Sequence, residues 1–140
     1  FEEHTAEGAT IEYAIQVLRT PHVIVCGHSG CGAMAGLLAP DQLETLPEVL
    51  RWVRQSEPAL ARVNSQRQSS KKAKLAELVR QNVLLQLERL RSYPFIETAA
   101  ANGKLRLHGW VYDIGSGIVL EYDPPRQRFT DPRKLVVAWA

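Results

Sequence analysis

The chain has 140 residues, 45% of them hydrophobic and 23% charged, with a formal net charge of +2. That balance is normal for one globular domain over residues 1–140, and the charge is too small to indicate binding of nucleic acid. No apolar run reaches the roughly 18 residues of a membrane span, and no signal peptide opens the chain, so we expect neither a membrane nor secretion.

The first predicted elements are a helix and a strand. Apolar side chains recur at helical spacing over residues 9–19, which predicts an amphipathic helix that ends before Pro21. A strand follows over residues 22–26, where Val23, Ile24 and Val25 are β-branched and consecutive. Such a run is typical of a central parallel strand, so we expect both of its faces to be covered.

Helices dominate the middle of the chain. Short helices are predicted over residues 31–38, 47–55 and 57–64, and a polar loop over residues 64–72. A long helix then covers residues 73–93. Because apolar residues surround it between Val83 and Leu87, we expect burial on several sides, partly by a partner chain.

The last third of the chain predicts a short helix and a hairpin. The helix starts at Pro94, and alternating residues in "KLRLHGWVYDI" and "IVLEYD" predict two strands joined by the turn "GSG". Together these elements predict an α/β fold: a mostly parallel central sheet flanked by helices, with a C-terminal antiparallel strand.

His28 and Cys31 follow the first strand at a spacing of three residues. Open α/β sheets bind ligands at the carboxyl ends of their strands, and imidazole with thiolate suits zinc better than calcium or magnesium. Glycines at positions 27, 30 and 32 allow a sharp turn and leave room above a metal.

Other interpretations of this segment compete with zinc. His28 also suits a helix cap and Cys31 a small buried hydrophobe, because two donors do not complete a four-ligand zinc site. "GCGAMA" (residues 30–35) fits a dinucleotide-binding fingerprint, which further requires a second strand ending in an acidic residue about 20 positions on. A serine nucleophile elbow, G-x-S-x-G, is one residue short here.

Both cysteines of the chain, Cys26 and Cys31, lie in this segment. A disulfide between them would be strained at a strand-to-helix turn, so we expect reduced thiols and a cytoplasmic location.

A longer resemblance includes this segment. "GATIEYAIQVLRTPHVIVCGHSGCGAMAGLL" (residues 8–38) resembles the β-class carbonic anhydrases, whose pattern is a helix containing IEYA, a strand and then C-G-H-S-x-C-G-A. "LPEVLRWVRQSEPALARV" and "LAELVRQNVLLQLERLRSYPFI" resemble the middle helices of that family. "KLRLHGWVYDIGSGIVLEYD" resembles its strand–turn–strand ending, so the resemblance covers most of the chain.

The resemblance implies a β-carbonic anhydrase-like fold and a zinc enzyme that interconverts carbon dioxide and bicarbonate. His28 and Cys31 match two of the family's three protein ligands for Zn²⁺. Cys26 matches a strand cysteine that is not a ligand, and we expect it in the core.

One part of the family pattern is missing from the chain. The third ligand is expected in an upstream C-x-D-x-R segment, whose Asp and Arg are the expected catalytic pair, and no such segment occurs here. His4 is the nearest upstream donor and matches no family ligand, so the catalytic residues stay unassigned. We expect an N-terminally incomplete domain. The alternative is a catalytically inactive carbonic anhydrase-like subunit that acts in assembly or partner binding.

The resemblance also implies partners. The family forms homodimers or larger homo-oligomers. The middle helices resemble the carboxysomal members of cyanobacteria, which implies shell or scaffold proteins as partners and a location inside a carboxysome.

Overall fold

The computed structural model describes residues 5–134, which contain six α-helices and four β-strands. The helices are α1 (Ala6–Gln16), α2 (Gly32–Leu38), α3 (Pro47–Arg54), α4 (Glu57–Asn64), α5 (Lys71–Arg91) and α6 (Pro94–Ala101). The strands are β1 (His22–His28), β2 (Arg106–Tyr112), β3 (Val119–Asp123) and β4 (Arg128–Thr130). Short 3-10 turns cover Pro40–Leu43 and Pro132–Lys134.

Helix starts follow the capping chemistry of the sequence. The Thr5 hydroxyl accepts a hydrogen bond from the Gly8 N–H at 3.0 Å, so α1 begins three residues before the predicted start. Ser70 caps α5 in the same way, accepting from the Ala73 N–H at 3.1 Å. Prolines occupy the first turns of α3, α4 and α6, where a missing N–H costs nothing.

The four strands form one mixed sheet in chain order. β1 and β2 are parallel, with His28 opposite Tyr112, whereas β2–β3 and β3–β4 are antiparallel. The α/β class and the C-terminal hairpin are therefore confirmed. The prediction of a mostly parallel sheet differs from the described pairing, because a turn at residues 124–127 brings β4 back beside β3.

Helix α5 covers one face of β1 and β2 and forms the centre of the core. Val83, Leu85 and Leu87 are buried within the chain itself, among side chains from β2, α2 and α4. Burial on several sides is therefore confirmed for these three residues without a partner chain. Cover of the half-buried Leu84 by a partner chain stays a prediction. A second cluster of buried residues joins α1, α5 and α6 through Ile15, Leu90 and Ile96.

Strand β1 lies at one edge of the described sheet, and exposed residues alternate along it. Ile24 is 45% exposed and Cys26 is also exposed. The predictions that both faces of this strand are covered and that Cys26 is a core residue are therefore wrong for this chain. The reason is that α5 covers one face, while the alternate side chains point to the other.

Among residues 5–134, no helix combines the length and the apolar character that crossing a membrane requires.

Candidate metal centre

The predicted ligands lie where one strand gives way to a helix. His28 is the last residue of β1, and Cys31 is the residue immediately before α2. His28 is exposed, whereas Cys31 is half-buried and packs against the main core. Both residues thus stand at the carboxyl end of a strand, where α/β sheets place ligands.

A glycine in a left-handed conformation makes this turn possible. Gly30 has φ of +65°, a region in which a side chain with a Cβ is strained. It lies between Ser29 and Cys31, in the three-residue turn that joins β1 directly to α2. The prediction of a sharp turn at Gly30 is therefore confirmed.

The ring of His28 has a defined proton position. Its Nδ1 lies 3.1 Å from the carbonyl oxygen of Ser29, which accepts hydrogen bonds and cannot donate them. Nδ1 therefore carries the proton, and Nε2 keeps its lone pair. This is the arrangement in which a metal-binding histidine is held by an outer-shell hydrogen bond.

The structure separates the two alternative structural roles. His28 bonds to the Ser29 carbonyl and α2 has no capping hydrogen bond from a side chain, so His28 is not a helix cap. Cys31 is half-buried against the main core, so its role as a small buried hydrophobe stays open beside its role as a ligand. The dinucleotide interpretation is wrong, because α2 is followed by a 3-10 turn and by α3 rather than by a second strand.

The donor set is chemically suited to zinc but incomplete within the described part of the chain. One imidazole nitrogen and one sulfur are ligands that zinc prefers, and zinc takes four ligands. Residues 5–134 contain no group of three or more His, Cys, Asp or Glu side chains placed to hold a metal ion. His4, the other candidate donor, lies outside the described residues.

Two polar residues beside the predicted ligands were not singled out by the sequence. The Ser29 hydroxyl donates to Asp113 Oδ1 at 3.3 Å and accepts from the Ile114 N–H at 3.0 Å. A signal for both was available, because Ser29 comes three residues after the first predicted strand and Asp113 lies next to the end of the predicted strand "KLRLHGWVYDI". The carboxyl ends of neighbouring parallel strands meet at one edge of a sheet.

A cavity of about 780 Å³ lies away from these residues, between α1 and α6. Its lining includes Ile15 and Phe95 but neither His28 nor Cys31. We therefore choose the candidate metal site by the ligand chemistry of His28 and Cys31 and not by the size of this cavity.

Comparison with protein families decides what kind of protein carries this turn. Residues 2–119 match the family model described as carbonic anhydrase. The chain belongs to the carbonic anhydrase family. Its solved neighbours place it in the β class: the β-carbonic anhydrase CcaA is 38% identical, with a TM-score of 0.84 over 94% of this chain and 60% of that one.

Relatives of this chain occur in several bacteria. The carbonic anhydrase of Pseudomonas aeruginosa is 43% identical over 121 residues, which are 86% of this chain and 55% of the relative. That of Synechocystis is 41% identical over 134 residues, 94% of this chain and 49% of the relative. The chain thus spans about half the length of these relatives.

A fungal structure extends the structural comparison. One of the two tetrameric β-carbonic anhydrases of Sordaria macrospora is 26% identical, with a TM-score of 0.74. The match covers 86% of this chain and 61% of that one.

Proposed function

We propose that this chain is the metal-binding part of a β-carbonic anhydrase that reversibly hydrates carbon dioxide to bicarbonate and a proton, with zinc as cofactor. The observation that carries the proposal is the orientation of His28. Its Nδ1 bonds to the Ser29 carbonyl at 3.1 Å, so Nε2 is left as a ligand atom three residues before Cys31, the cap residue of α2.

Each residue of the turn has a role in this proposal. Neutral His28 and the thiolate of Cys31 hold the metal, and Gly30 sets the direction of the turn between them. Zinc bound there supplies the Lewis acidity that makes a water molecule nucleophilic near neutral pH. The exposed position of His28 leaves the site open to small substrates from solvent.

The rest of the centre is proposed to come from residues that precede this sequence in a longer protein. The family pattern puts the third ligand, a cysteine, in an upstream C-x-D-x-R segment, together with an Asp and an Arg. His28 and Cys31 are both used as ligands in this proposal, so neither is left to position the attacking water. We propose that the Asp–Arg pair orients it.

A comparison of two protein forms tests the function. One is the 140-residue chain, and the other is the same chain fused to the upstream segment of the Pseudomonas aeruginosa relative. Hydration of carbon dioxide is followed by stopped flow with a pH indicator in excess zinc. We expect activity from the fusion and little from the short chain, because misplaced reacting groups alone cost about 100-fold.

A control variant makes this comparison specific. In the fusion, His28→Ala should abolish the activity that the upstream segment restores. A fusion that binds zinc but does not hydrate carbon dioxide would contradict the proposed activity. Strong activity of the short chain would instead show that a donor within its own residues, with His4 the first to test, completes the centre.

The second candidate is a catalytically inactive subunit that acts in assembly. One observation fits this candidate and the lead proposal alike: residues 5–134 place no third metal donor near His28 and Cys31. The fusion experiment separates the two candidates, because an inactive subunit would gain no activity from the upstream segment.

We propose that the protein is a homodimer or a larger homo-oligomer. The related Sordaria macrospora structures are described as tetrameric. Exposed apolar side chains on α1, directly after it and on the open face of β1 also support it: Tyr13, Val17, Leu18 and Ile24. Sedimentation at micromolar concentration tests this proposal, and a single species of 15.7 kDa would contradict it.

We further propose a cytoplasmic location inside a carboxysome, with shell or scaffold proteins as partners. The similarity to the Synechocystis relative over 134 residues supports this. A fluorescent fusion in a cyanobacterial host tests it. Punctate signal that disappears in a shell-deficient strain is expected, and diffuse signal in both strains would contradict it.

A further inference from the structure

Two turns lie side by side at the carboxyl ends of β1 and β2. The first, called the ligand turn, contains Ser29, Gly30 and Cys31. The second is the β2–β3 turn over residues 113–118. The Ser29 N–H donates to the Tyr112 carbonyl at 2.9 Å, which continues the pairing of the two parallel strands by one residue. The backbone of the ligand turn is thereby attached to β2.

The side chain of Ser29 adds two further bonds to the same neighbour. Its hydroxyl accepts from the Ile114 N–H at 3.0 Å and donates to Asp113 Oδ1 at 3.3 Å. One serine thus connects to three consecutive residues of the β2–β3 region: Tyr112, Asp113 and Ile114.

Asp113 is itself fixed by its own turn. Its Oδ1 accepts from the Gly115 N–H at 2.9 Å, and its carbonyl accepts from the Gly117 N–H at 2.8 Å. The N–H of Gly115 also holds the pKa of the Asp113 carboxyl below its usual range. The carboxylate is therefore an acceptor at neutral pH, held in place by backbone groups that belong to a hairpin.

Ser29 also bonds to the proposed metal ligand His28. Its carbonyl oxygen accepts from His28 Nδ1 at 3.1 Å, so the residue that is bonded to β2 also orients the imidazole ring. A continuous chain of hydrogen bonds runs from Asp113 through Ser29 to His28. Gly30 follows with φ of +65°, and glycine by itself does little to restrict a turn.

We propose that Ser29 and Asp113 are positioning residues that set the geometry of His28 and Cys31 for the metal. This inference rests on the proposed zinc centre. Ser29 fixes the ligand turn between the two ligands, and Asp113 fixes the hydroxyl of Ser29. Outer-shell groups of this kind change metal affinity by about 10–100-fold when they are removed.

The test is a titration with Co²⁺ of the fusion described above, in which the upstream segment supplies the third proposed ligand to the 140-residue chain. The visible absorption of Co²⁺ reports thiolate coordination and ligand geometry. Ser29→Ala and Asp113→Ala should each weaken Co²⁺ binding by about 10–100-fold and alter the spectrum of the bound ion. Ser29→Thr keeps the hydroxyl and should restore parental binding. Both alanine variants break the same chain of hydrogen bonds. The double variant should therefore weaken Co²⁺ binding little more than either single variant does.

The matched control is Asp123→Ala. Asp123 also bonds to a backbone N–H in a hairpin turn, that of Arg126, but the β3–β4 turn is at the opposite end of the antiparallel pair. This variant should bind Co²⁺ like the parent. If Asp123→Ala weakened binding as much as Ser29→Ala, loss of hairpin stability would explain the effect and the positioning role would be refuted.

The remaining outcomes are distinguishable from one another. A parent fusion without a thiolate–cobalt band would overturn the zinc centre and the positioning role together. A parent that binds Co²⁺, with Ser29→Ala unchanged in affinity and spectrum, would overturn the positioning role alone. Circular dichroism checks folding. If Ser29→Ala does not fold, Asp113→Ala decides, because it leaves the ligand turn's sequence intact.

Discussion

Gly27 on β1 lies in direct contact with Val83 on α5. A Cβ atom at Gly27 would come 2.8 Å from Val83 Cγ2 and 2.9 Å from Cγ1 of Val79. Carbon atoms do not approach so closely without displacement, so the glycine lets the strand and the helix meet. The same contact recurs on β2, where a Cβ at Gly109 would lie 2.8 Å from Leu87 Cδ1.

The first prediction concerns this contact. Gly27→Ala should lower the free energy of unfolding by about 1–3 kcal/mol, because the added methyl group overpacks a core whose valines have few alternative rotamers. Urea unfolding of the metal-free chain measures the change.

Gly32→Ala is the matched control for Gly27→Ala. Gly32 begins α2, and a Cβ there would meet no atom within 4 Å. This variant should be as stable as the parent or gain up to about 1 kcal/mol, because alanine favours the helix. Equal stability of Gly27→Ala and Gly32→Ala would mean that α5 does not pack closely on β1.

The glycines show what the sequence could and could not predict. Their clustering correctly predicted the turn at Gly30, because a tight turn of three residues is a local property. It did not predict that Gly27 serves close packing, because the residue above Gly27 belongs to a helix more than 50 positions later. Gly32 has neither a positive φ nor a close packing neighbour, so neither reason requires a glycine there.

The same distinction holds for the rest of the fold. Periodicity, proline and capping residues predicted the helices and the β2–β3 hairpin within a few residues, because those signals are local. The exposure of Cys26 could not be predicted, since it depends on which side of β1 the helix α5 covers. Strand β4 has three residues and follows two prolines. It is too short to show the alternation of apolar and polar residues from which a strand is predicted.

The second prediction concerns the backbone at Gly30, which has φ of +65° and where a Cβ would meet no atom within 4 Å. Gly30→Ala should therefore cost about 1–2 kcal/mol through backbone strain alone. Gly30→Asn should cost less, because asparagine adopts this conformation more readily. The difference in urea midpoints between the two variants measures this preference, and an alanine variant as stable as the asparagine one would contradict it.

The third prediction separates the two cysteines by metal retention. In the fusion with the upstream segment, Cys31→Ala and His28→Ala should lose zinc, because each removes one proposed ligand. Cys26→Ala should keep it, because Cys26 lies within β1 and matches the strand cysteine of the family pattern that is not a ligand. Zinc per chain is measured after purification under reducing conditions. Loss of zinc in Cys26→Ala alone would reverse the ligand assignment.

The fourth prediction concerns Arg62 and Glu88, which join α4 to α5 through two parallel hydrogen bonds of 3.0 and 2.6 Å. The bond to Glu88 raises the pKa of Arg62. Because the side chains are 37% and 52% exposed, a double-mutant cycle should give a coupling of about 0.2–1 kcal/mol that shrinks in salt.

A second ion pair provides the comparison for that cycle. Arg51 and Glu48 lie on one helix, make a single contact of 3.2 Å and are 76% and 79% exposed. Their coupling should be smaller, and Arg62→Lys should lose most of the larger one because lysine cannot form the paired bonds. Equal couplings for the two pairs would show that the bidentate geometry adds nothing.

The fifth prediction is a pH dependence of stability that comes from Asp123. Its carboxylate accepts hydrogen bonds from the side chain and the N–H of Arg126, and the side-chain bond is the main reason that its pKa is lowered. A carboxyl group with a lowered pKa in the folded state stabilises that state fully above its unfolded pKa of about 3.9. This contribution to stability is lost as the pH falls through the lowered pKa that Asp123 has in the folded state.

Asp123→Asn should therefore be less stable than the parent near neutral pH, and the difference should disappear in acid. Urea unfolding from about pH 7 to about pH 3 measures it, with Asp41→Asn, the same loss of charge at an exposed position, as the control. A difference between Asp123→Asn and the parent that stays constant over this range would show that the carboxylate charge does not stabilise the β3–β4 turn.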